Sequence, residues 1–157
     1  MFWSDNATNG STNVDFLGNT AYISGQDHNK VFMVDVTTKA VSSFAASLPA
    51  DVEIGPDGNV YVVNAGVEVR KYGPTGTSLG QFVALAGARG IAWADDGFAY
   101  VVSNSLDKVI KVDLLGNATD FITTGLNDAR SIVVPEPGTL ALLAISGLMA
   151  LRRGRRR

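Results

Sequence analysis

A repeat of 39 residues is the feature that most constrains the fold of this chain. Tyr22, Tyr61 and Tyr100 are spaced 39 residues apart, and each lies in a short segment rich in β-branched or aromatic residues. Around each tyrosine the same order recurs: an apolar segment, a turn, the tyrosine segment, a polar loop, a third segment, a turn and a fourth segment. Segments of this kind, bounded by turn residues, are typical of β-strands. The sequence therefore predicts an all-β chain built from about three four-stranded units.

Repeats of about 40 residues with four strands each are typical of β-propellers. We therefore predict a partial propeller of about three blades with a period of about 39 residues. The predicted strands are residues 14–17, 21–24, 31–36 and 41–44 in the first blade; 51–54, 60–63, 67–72 and 79–83 in the second; and 90–94, 99–102, 109–113 and 119–123 in the third.

The third repeat carries the sequences GIAWADDG, AYVV, DKVIKVD and GNATDF, and a new repeat begins at ARSIVV. This sequence pattern resembles that of the NHL and SMP-30-like propeller superfamily. The chain departs from it at Arg89 and Arg130, where the superfamily usually has proline, and in the first repeat, which lacks the Asp-Gly turn. The resemblance implies a propeller fold that serves as scaffold, ligand binder or enzyme, so function has to be argued from a site.

The SMP-30-like enzymes hold a divalent cation in the central channel with Glu, Asn and Asp side chains. The resemblance implies Glu53, Asn64 and Asn104 as the matching candidates, and oxygen ligands of this type suit calcium. All three come from adjacent blades, whereas such a site needs ligands from opposite sides of a channel. We therefore expect no catalytic residue, no metal site and no cofactor, with calcium as the weak alternative. His28, the single histidine, is interpreted as a solvated loop residue.

Three repeats with flanking strands at residues 2–4 and 130–134 make about fourteen strands, whereas the smallest propeller ring has about sixteen. The sequence thus predicts an incomplete ring. The first residues, MFWSDN, provide neither the charged nor the apolar region of an export signal. Both observations favour a fragment of a longer protein, whose open end blade would pair with another chain.

The last 24 residues, VPEPGTLALLAISGLMALRRGRRR, differ from the repeats. Pro135 and Pro137 interrupt strand pairing, and residues 140–151 are an apolar run that predicts a helix of about 18 Å. A membrane span takes roughly 20 residues, so snorkelling arginines and a thinned bilayer would have to complete it. The basic end should stay cytoplasmic. A plain tail anchor and a core helix are the alternatives.

This tail resembles the PEP-CTERM sorting signal of Gram-negative bacteria, with Gly138 where a serine is common. The resemblance implies export, anchoring in the inner membrane, and processing near the Pro-Glu-Pro by an exosortase, after which the protein reaches the cell surface or the extracellular space. The predicted domains are residues 1–134 and 135–157. The sorting residues are Val134, Pro135, Glu136, Pro137, Gly138 and Thr139; the membrane helix contains Leu140, Leu142, Leu143, Ile145, Leu148, Met149 and Leu151; and the basic stop is Arg152, Arg153, Arg155, Arg156 and Arg157.

Residues 1–134 carry 8 Lys and Arg against 14 Asp and Glu, a net charge of −6, whereas the whole chain has −2. An acidic domain is a poor binder of nucleic acid, and the absence of cysteine excludes disulfides and thiolate sites. We expect a non-enzymatic propeller module in the cell envelope or extracellular matrix, with a surface glycan or another envelope protein as partner. The alternative is a secreted SMP-30-like lactonase or streptogramin-lyase-like enzyme with a channel cation.

Overall fold

The computed structural model describes residues 11–134, which form three four-stranded antiparallel sheets and one short 3₁₀ helix, Gln26–His28. Each sheet takes four consecutive strands. The first contains β1 (Ser11–Leu17), β2 (Thr20–Gly25), β3 (Lys30–Asp35) and β4 (Val41–Ala45); the second β5 (Pro49–Ile54), β6 (Val60–Asn64), β7 (Glu68–Tyr72) and β8 (Ser78–Ala84); the third β9 (Ala88–Trp93), β10 (Ala99–Ser103), β11 (Lys108–Val112) and β12 (Ala118–Ile122).

The sheets are three propeller blades, as the repeat predicts. Within each blade the strands follow one another as a meander. The first strands of the blades, β1, β5 and β9, lie beside one another, and we call them the inner strands. The blades then stack face to face, which buries the alternating apolar residues of each strand.

Two apolar clusters fill the spaces between the blades. Between blades one and two, Tyr22 packs with Val52 and Val62; between blades two and three, Tyr61 packs with Ile91 and other residues of β9, β10 and β11. The repeated tyrosine therefore lies on the face of each blade that meets the next blade.

The Asp-Gly turns are tied to this core by side chains. Asp57 accepts hydrogen bonds from the backbone N–H of Asn59 (3.1 Å) and the hydroxyl of Tyr61 (3.0 Å), and it forms an ion pair with Lys71 (2.7 Å). In blade three, Asp96 bonds the Tyr100 hydroxyl at 2.9 Å in the same way. The aspartates thus form the turns and also connect them to the buried tyrosines.

Blade one exposes apolar side chains on the face that, in blades two and three, packs against the preceding blade. Val14 pairs with Ile23 in the position that Val52 and Ile91 occupy in blades two and three. Val14 is 46% exposed and the nearby Phe16 is 56% exposed, whereas Val52 is 0% and Ile91 1% exposed. This face has the chemistry of a surface that packs against another blade.

We expect a protein of residues 1–134 to self-associate through this face. The double substitution Val14→Ser and Phe16→Lys should lower the apparent mass measured by light scattering, because it replaces exposed apolar area with polar and charged groups. Leu115→Ser, in an exposed turn of blade three, is the control and should leave the mass unchanged. A monodisperse wild-type monomer would contradict the prediction.

The prediction of a strand at residues 130–134 is wrong, because these residues follow blade three without regular secondary structure. None of the described strands pairs with residues 130–134, and a segment without a ladder partner is not a strand of a sheet. Instead Leu126, Ala129, Ile132 and Val134 pack on Tyr100, Val102 and Val109 of blade three. We call residues 126–134 the C-terminal cap. The strand predicted at residues 2–4 and the C-terminal helix lie outside the described residues.

Candidate ligand-binding cleft

A cleft of about 490 Å³ lies between the inner strands and the C-terminal cap. Its size falls in the usual range for small-ligand sites. It combines carboxyl, amide, hydroxyl and guanidinium groups with a few apolar side chains. The lining residues are Asn13, Gln26, Ala50, Asp51, Glu53, Arg89, Arg130, Ser131, Ile132 and Val133.

Asp51 is a buried residue that lines the cleft and connects all three inner strands. Its carboxylate accepts hydrogen bonds from the side-chain amide of Asn13 on β1, from the backbone N–H of Val52 (2.8 Å), and from the backbone N–H of Ile91 on β9 (2.8 Å). Burial raises the pKa of Asp51, although these three hydrogen bonds partly offset the increase.

Asp15 makes the corresponding link between blades one and two. Its carboxylate accepts hydrogen bonds from the backbone N–H groups of Phe16 (2.7 Å) and Ile54 (2.7 Å). Inner strands are sheet edges, so some of their N–H groups have no ladder partner. Asp15 and Asp51 satisfy such groups on the following blade, and these two carboxylates thus hold the blades together.

Glu53 lies near Asp15 and Asp51, and we call these three residues the carboxyl cluster. The environment of Glu53 differs from that of the two aspartates. It is half-buried on β5, and its pKa is raised to about 8, first by burial, then by the negative charges of Asp15 and Asp51 and by a hydrogen bond with Asp15. Glu53 is therefore largely protonated at pH 7; its one O–H is donated to Asp15, so the carboxyl group offers the cleft acceptor capacity only.

Two arginines also line the cleft, Arg89 from β9 and Arg130 from the C-terminal cap. The side chain of Arg130 forms an ion pair with Asp128 at 2.7 Å, and this pair lowers the pKa of Asp128. The Nε atom of Arg89 is buried and has no hydrogen-bond partner within the described part of the chain. Arg130 is thus engaged by Asp128, and the buried Nε of Arg89 is a donor that the described part of the chain leaves unsatisfied.

The three residues implied as calcium ligands do not come together. Glu53 is opposite Tyr61 in the sheet and Asn64 is opposite Pro49, which separates them by roughly 10 Å along the strand. The side-chain amide of Asn64 donates to Glu68 (3.0 Å), and that of Asn104 donates to Asp128 in the cap (3.2 Å). Across residues 11–134, no set of three histidine, cysteine, aspartate or glutamate side chains is arranged to hold a metal ion.

His28 is not one of the residues that line the cleft. It is exposed in the 3₁₀ helix after β2, and its ring contacts Phe32 edge to face at 5.9 Å between centroids. Sequence reasoning did not find Asp15, Asp51 and Arg89 as cleft or linking residues. A signal was available, because Asp15 and Glu53 occupy the same register position, opposite the repeated tyrosine, in two successive inner strands.

Residues 133–157 match the family described as the PEP-CTERM protein-sorting motif. The chain carries a PEP-CTERM sorting motif. This motif implies an exported protein of a Gram-negative bacterium that is anchored in the membrane before an exosortase processes it. The motif residues from Pro135 onward, the apolar run and the arginine cluster lie outside the described residues. Residues 11–134 contain no helix with the length and hydropathy that a membrane span requires.

Several solved propeller structures are similar to the domain that precedes the PEP-CTERM motif. Hydrazine synthase of Kuenenia stuttgartiensis is 23% identical with a TM-score of 0.70, and the match covers 80% of this chain and 39% of that one. Virginiamycin B lyase of Staphylococcus aureus is 12% identical with a TM-score of 0.66, over 84% and 48% of the two chains. An auxiliary nutrient binding protein of Bacteroides ovatus is 18% identical with a TM-score of 0.59, over 71% and 28%.

These similarities establish the fold, and the similar structures include both enzymes and binding proteins. The chain spans less than half the length of each of these three proteins. No curated protein sequence is significantly similar to it.

Proposed function

We propose that this chain is an exosortase-sorted protein of the cell envelope or extracellular matrix, whose propeller module binds a ligand without chemical conversion. The observation that carries the proposal is the PEP-CTERM motif, which directly follows a β domain with a polar cleft. Export and sorting deliver the domain to the outer surface, where a binding module can retain a matrix component or another envelope protein.

The chemistry of the cleft supports binding of a hydroxyl-rich ligand such as a surface glycan. Asn13 and Gln26 provide amide groups, Ser131 provides a hydroxyl, and the carboxyl group of Glu53 provides acceptor capacity. Sugar hydroxyls can donate to and accept from such groups.

The carboxylates of the cluster support a non-enzymatic role. Asp15 and Asp51 are already engaged by backbone N–H groups that hold the blades together. Glu53, with its raised pKa, is a weak ligand for a cation at neutral pH, since metal binding requires the ionised carboxylate.

A second candidate is a secreted lactonase or lyase, and one observation favours it. A half-buried carboxyl group with a pKa of about 8 in a cleft, as at Glu53, is suited to act as a general acid. The SMP-30-like enzymes need a channel cation, so stabilisation of the folded domain by calcium would favour this alternative.

The sorting proposal predicts that replacing Pro135, Glu136 and Pro137 together by alanine blocks processing. The full chain, preceded by an export signal, would be expressed in an exosortase-bearing host, and conversion to the shorter product would be followed on blots. We expect the alanine variant to accumulate uncut in the membrane fraction. Leu115→Ser, far from the motif in sequence, should be processed as the wild type. Processing that survives the triple replacement would refute the proposal.

A further inference from the structure

The C-terminal cap packs tightly on blade three directly before the sorting motif. Its apolar residues Leu126, Ala129, Ile132 and Val134 cover Tyr100, Val102 and Val109, on the face that would otherwise meet a following blade. Val134 is half-buried in this cluster, and the next residue in the chain is Pro135.

Hydrogen bonds also join the cap to blade three. Asp107 on the blade accepts a hydrogen bond from the backbone N–H of Asp128 at 3.1 Å, and the side-chain amide of Asn104 donates to the Asp128 carboxylate at 3.2 Å. The cap is therefore held by hydrogen bonds at Asp128 and by apolar packing along its length.

Gly90 provides a further sign of this fit. A Cβ atom at Gly90 would lie 3.0 Å from the carbonyl oxygen of Arg130 and 3.0 Å from the Cα of Ser131. The corresponding positions of blades one and two hold Asn13 and Asp51, both with side chains. The absence of a side chain at Gly90 thus permits the close approach of the cap backbone.

We propose that the cap regulates processing by holding the start of the sorting motif against blade three. An enzyme that cleaves near the Pro-Glu-Pro has to reach the chain there, and binding the adjoining residues as an extended strand, one of the recurring modes of peptide recognition, requires them to be accessible. Val134 has to leave its apolar cluster first. The rate of processing is then scaled by the fraction of molecules in which the cap is undocked, because only this state is competent. The inference rests on the proposed sorting by an exosortase.

The test measures the processing rate of full-length variants in the exosortase-bearing host by pulse-chase. Ile132→Ser weakens the apolar contact, and Gly90→Ala pushes on the cap backbone while keeping every apolar side chain of that contact. Both are expected to speed processing roughly 5- to 10-fold, since undocking becomes more frequent. Limited proteolysis of the purified chain should show earlier cleavage within residues 126–134 in both variants.

Two controls separate cap release from other causes. Leu115→Ser alters an exposed turn residue of blade three and should leave the rate unchanged. Val69→Ala lowers the stability of the core between blades two and three, where Val69 is fully buried, without touching the cap, and should also leave the rate near that of the wild type. Acceleration by Val69→Ala equal to that of the cap variants would mean that global unfolding exposes the motif, and would overturn the inference.

The outcomes also distinguish this inference from the proposed function. If the wild type is not processed in the presence of an exosortase, the sorting proposal fails. If the wild type is processed but Ile132→Ser and Gly90→Ala leave its rate unchanged, the sorting proposal stands and the regulatory role of the cap is wrong.

Discussion

Glu53→Gln is expected to remove most of the pH dependence of stability between about pH 5 and pH 8. Folding raises the pKa of Glu53 from 4.5 to about 8, so the folded protein holds a proton that the unfolded chain releases. The free energy of unfolding therefore falls as pH rises through this range and levels off above about pH 8. With allowance for the partial exposure of Glu53, we expect a loss of roughly 2–3 kcal/mol in the wild type.

Thermal midpoints measured by circular dichroism at several pH values would test this prediction. Glutamine keeps the shape of Glu53 and stays neutral, so the variant should be more stable than the wild type at about pH 8 and similar to it at about pH 5. Asp120→Asn, at an exposed ion pair with Lys108, is the control and should retain the wild-type slope. An unchanged slope in Glu53→Gln would show that this carboxyl group ionises as it does in the unfolded chain.

The same titration bears on the enzymatic alternative. A ligand at 100 times its dissociation constant adds about 2.7 kcal/mol to stability. Because calcium would have to displace the proton of Glu53 in order to bind, millimolar calcium at pH 7 should leave the midpoint nearly unchanged. A calcium-dependent rise that Glu53→Gln abolishes would favour the lactonase or lyase instead.

The blades could be predicted from the sequence because the information about them is local. Tyr22, Tyr61 and Tyr100 mark β2, β6 and β10, and the predicted strands overlap all twelve observed strands, with boundaries that differ by a few residues. Alternation of apolar residues and the Asp-Gly turns act over a few residues, so they can be recognised without knowing how the blades stack.

The cleft could not be predicted in the same way because its contacts join residues far apart in sequence. Asp15 bonds Ile54, and Asp51 bonds Ile91, across separations of 39 and 40 residues. Whether a carboxylate reaches the next inner strand depends on the packing angle and the register between blades. The resemblance to SMP-30-like proteins instead indicated Asn64 and Asn104, which bond to Glu68 and Asp128.

The error at residues 130–134 has a related physical cause. The sequence ARSIVV matches the start of a blade, and Ile132 packs on blade three as an inner-strand residue would. A strand, however, also needs a hydrogen-bonded neighbour, and a repeat pattern does not indicate whether such a neighbour is present. Residues 130–134 therefore show the apolar packing of a blade's first strand but not the strand itself.

Asp51→Ala is expected to lower the free energy of unfolding by roughly 3 kcal/mol, because it leaves buried donors without an acceptor. The lost bonds include those from the backbone N–H groups of Val52 and Ile91 and from the side chain of Asn13. Asp51→Asn should cost less, since the amide oxygen can still accept from one of them. Urea unfolding monitored by circular dichroism gives the three values to compare.

Asp120→Ala is the matched control, because Asp120 pairs with Lys108 at 2.8 Å but its side chain is 56% exposed. Such a pair contributes about 0–1 kcal/mol.

Hydrogen exchange adds a local readout. In Asp51→Ala the amide of Ile91 should exchange faster, since its acceptor is gone, while the amide of Val101 in the interior of the same blade should change less. Equal losses of stability in Asp51→Ala and Asp120→Ala would show that Asp51 does not join the blades. A larger loss in Asp51→Ala together with selective exchange at Ile91 would mean that the propeller is coupled at its inner strands by buried carboxylates, in addition to the apolar packing between its blades.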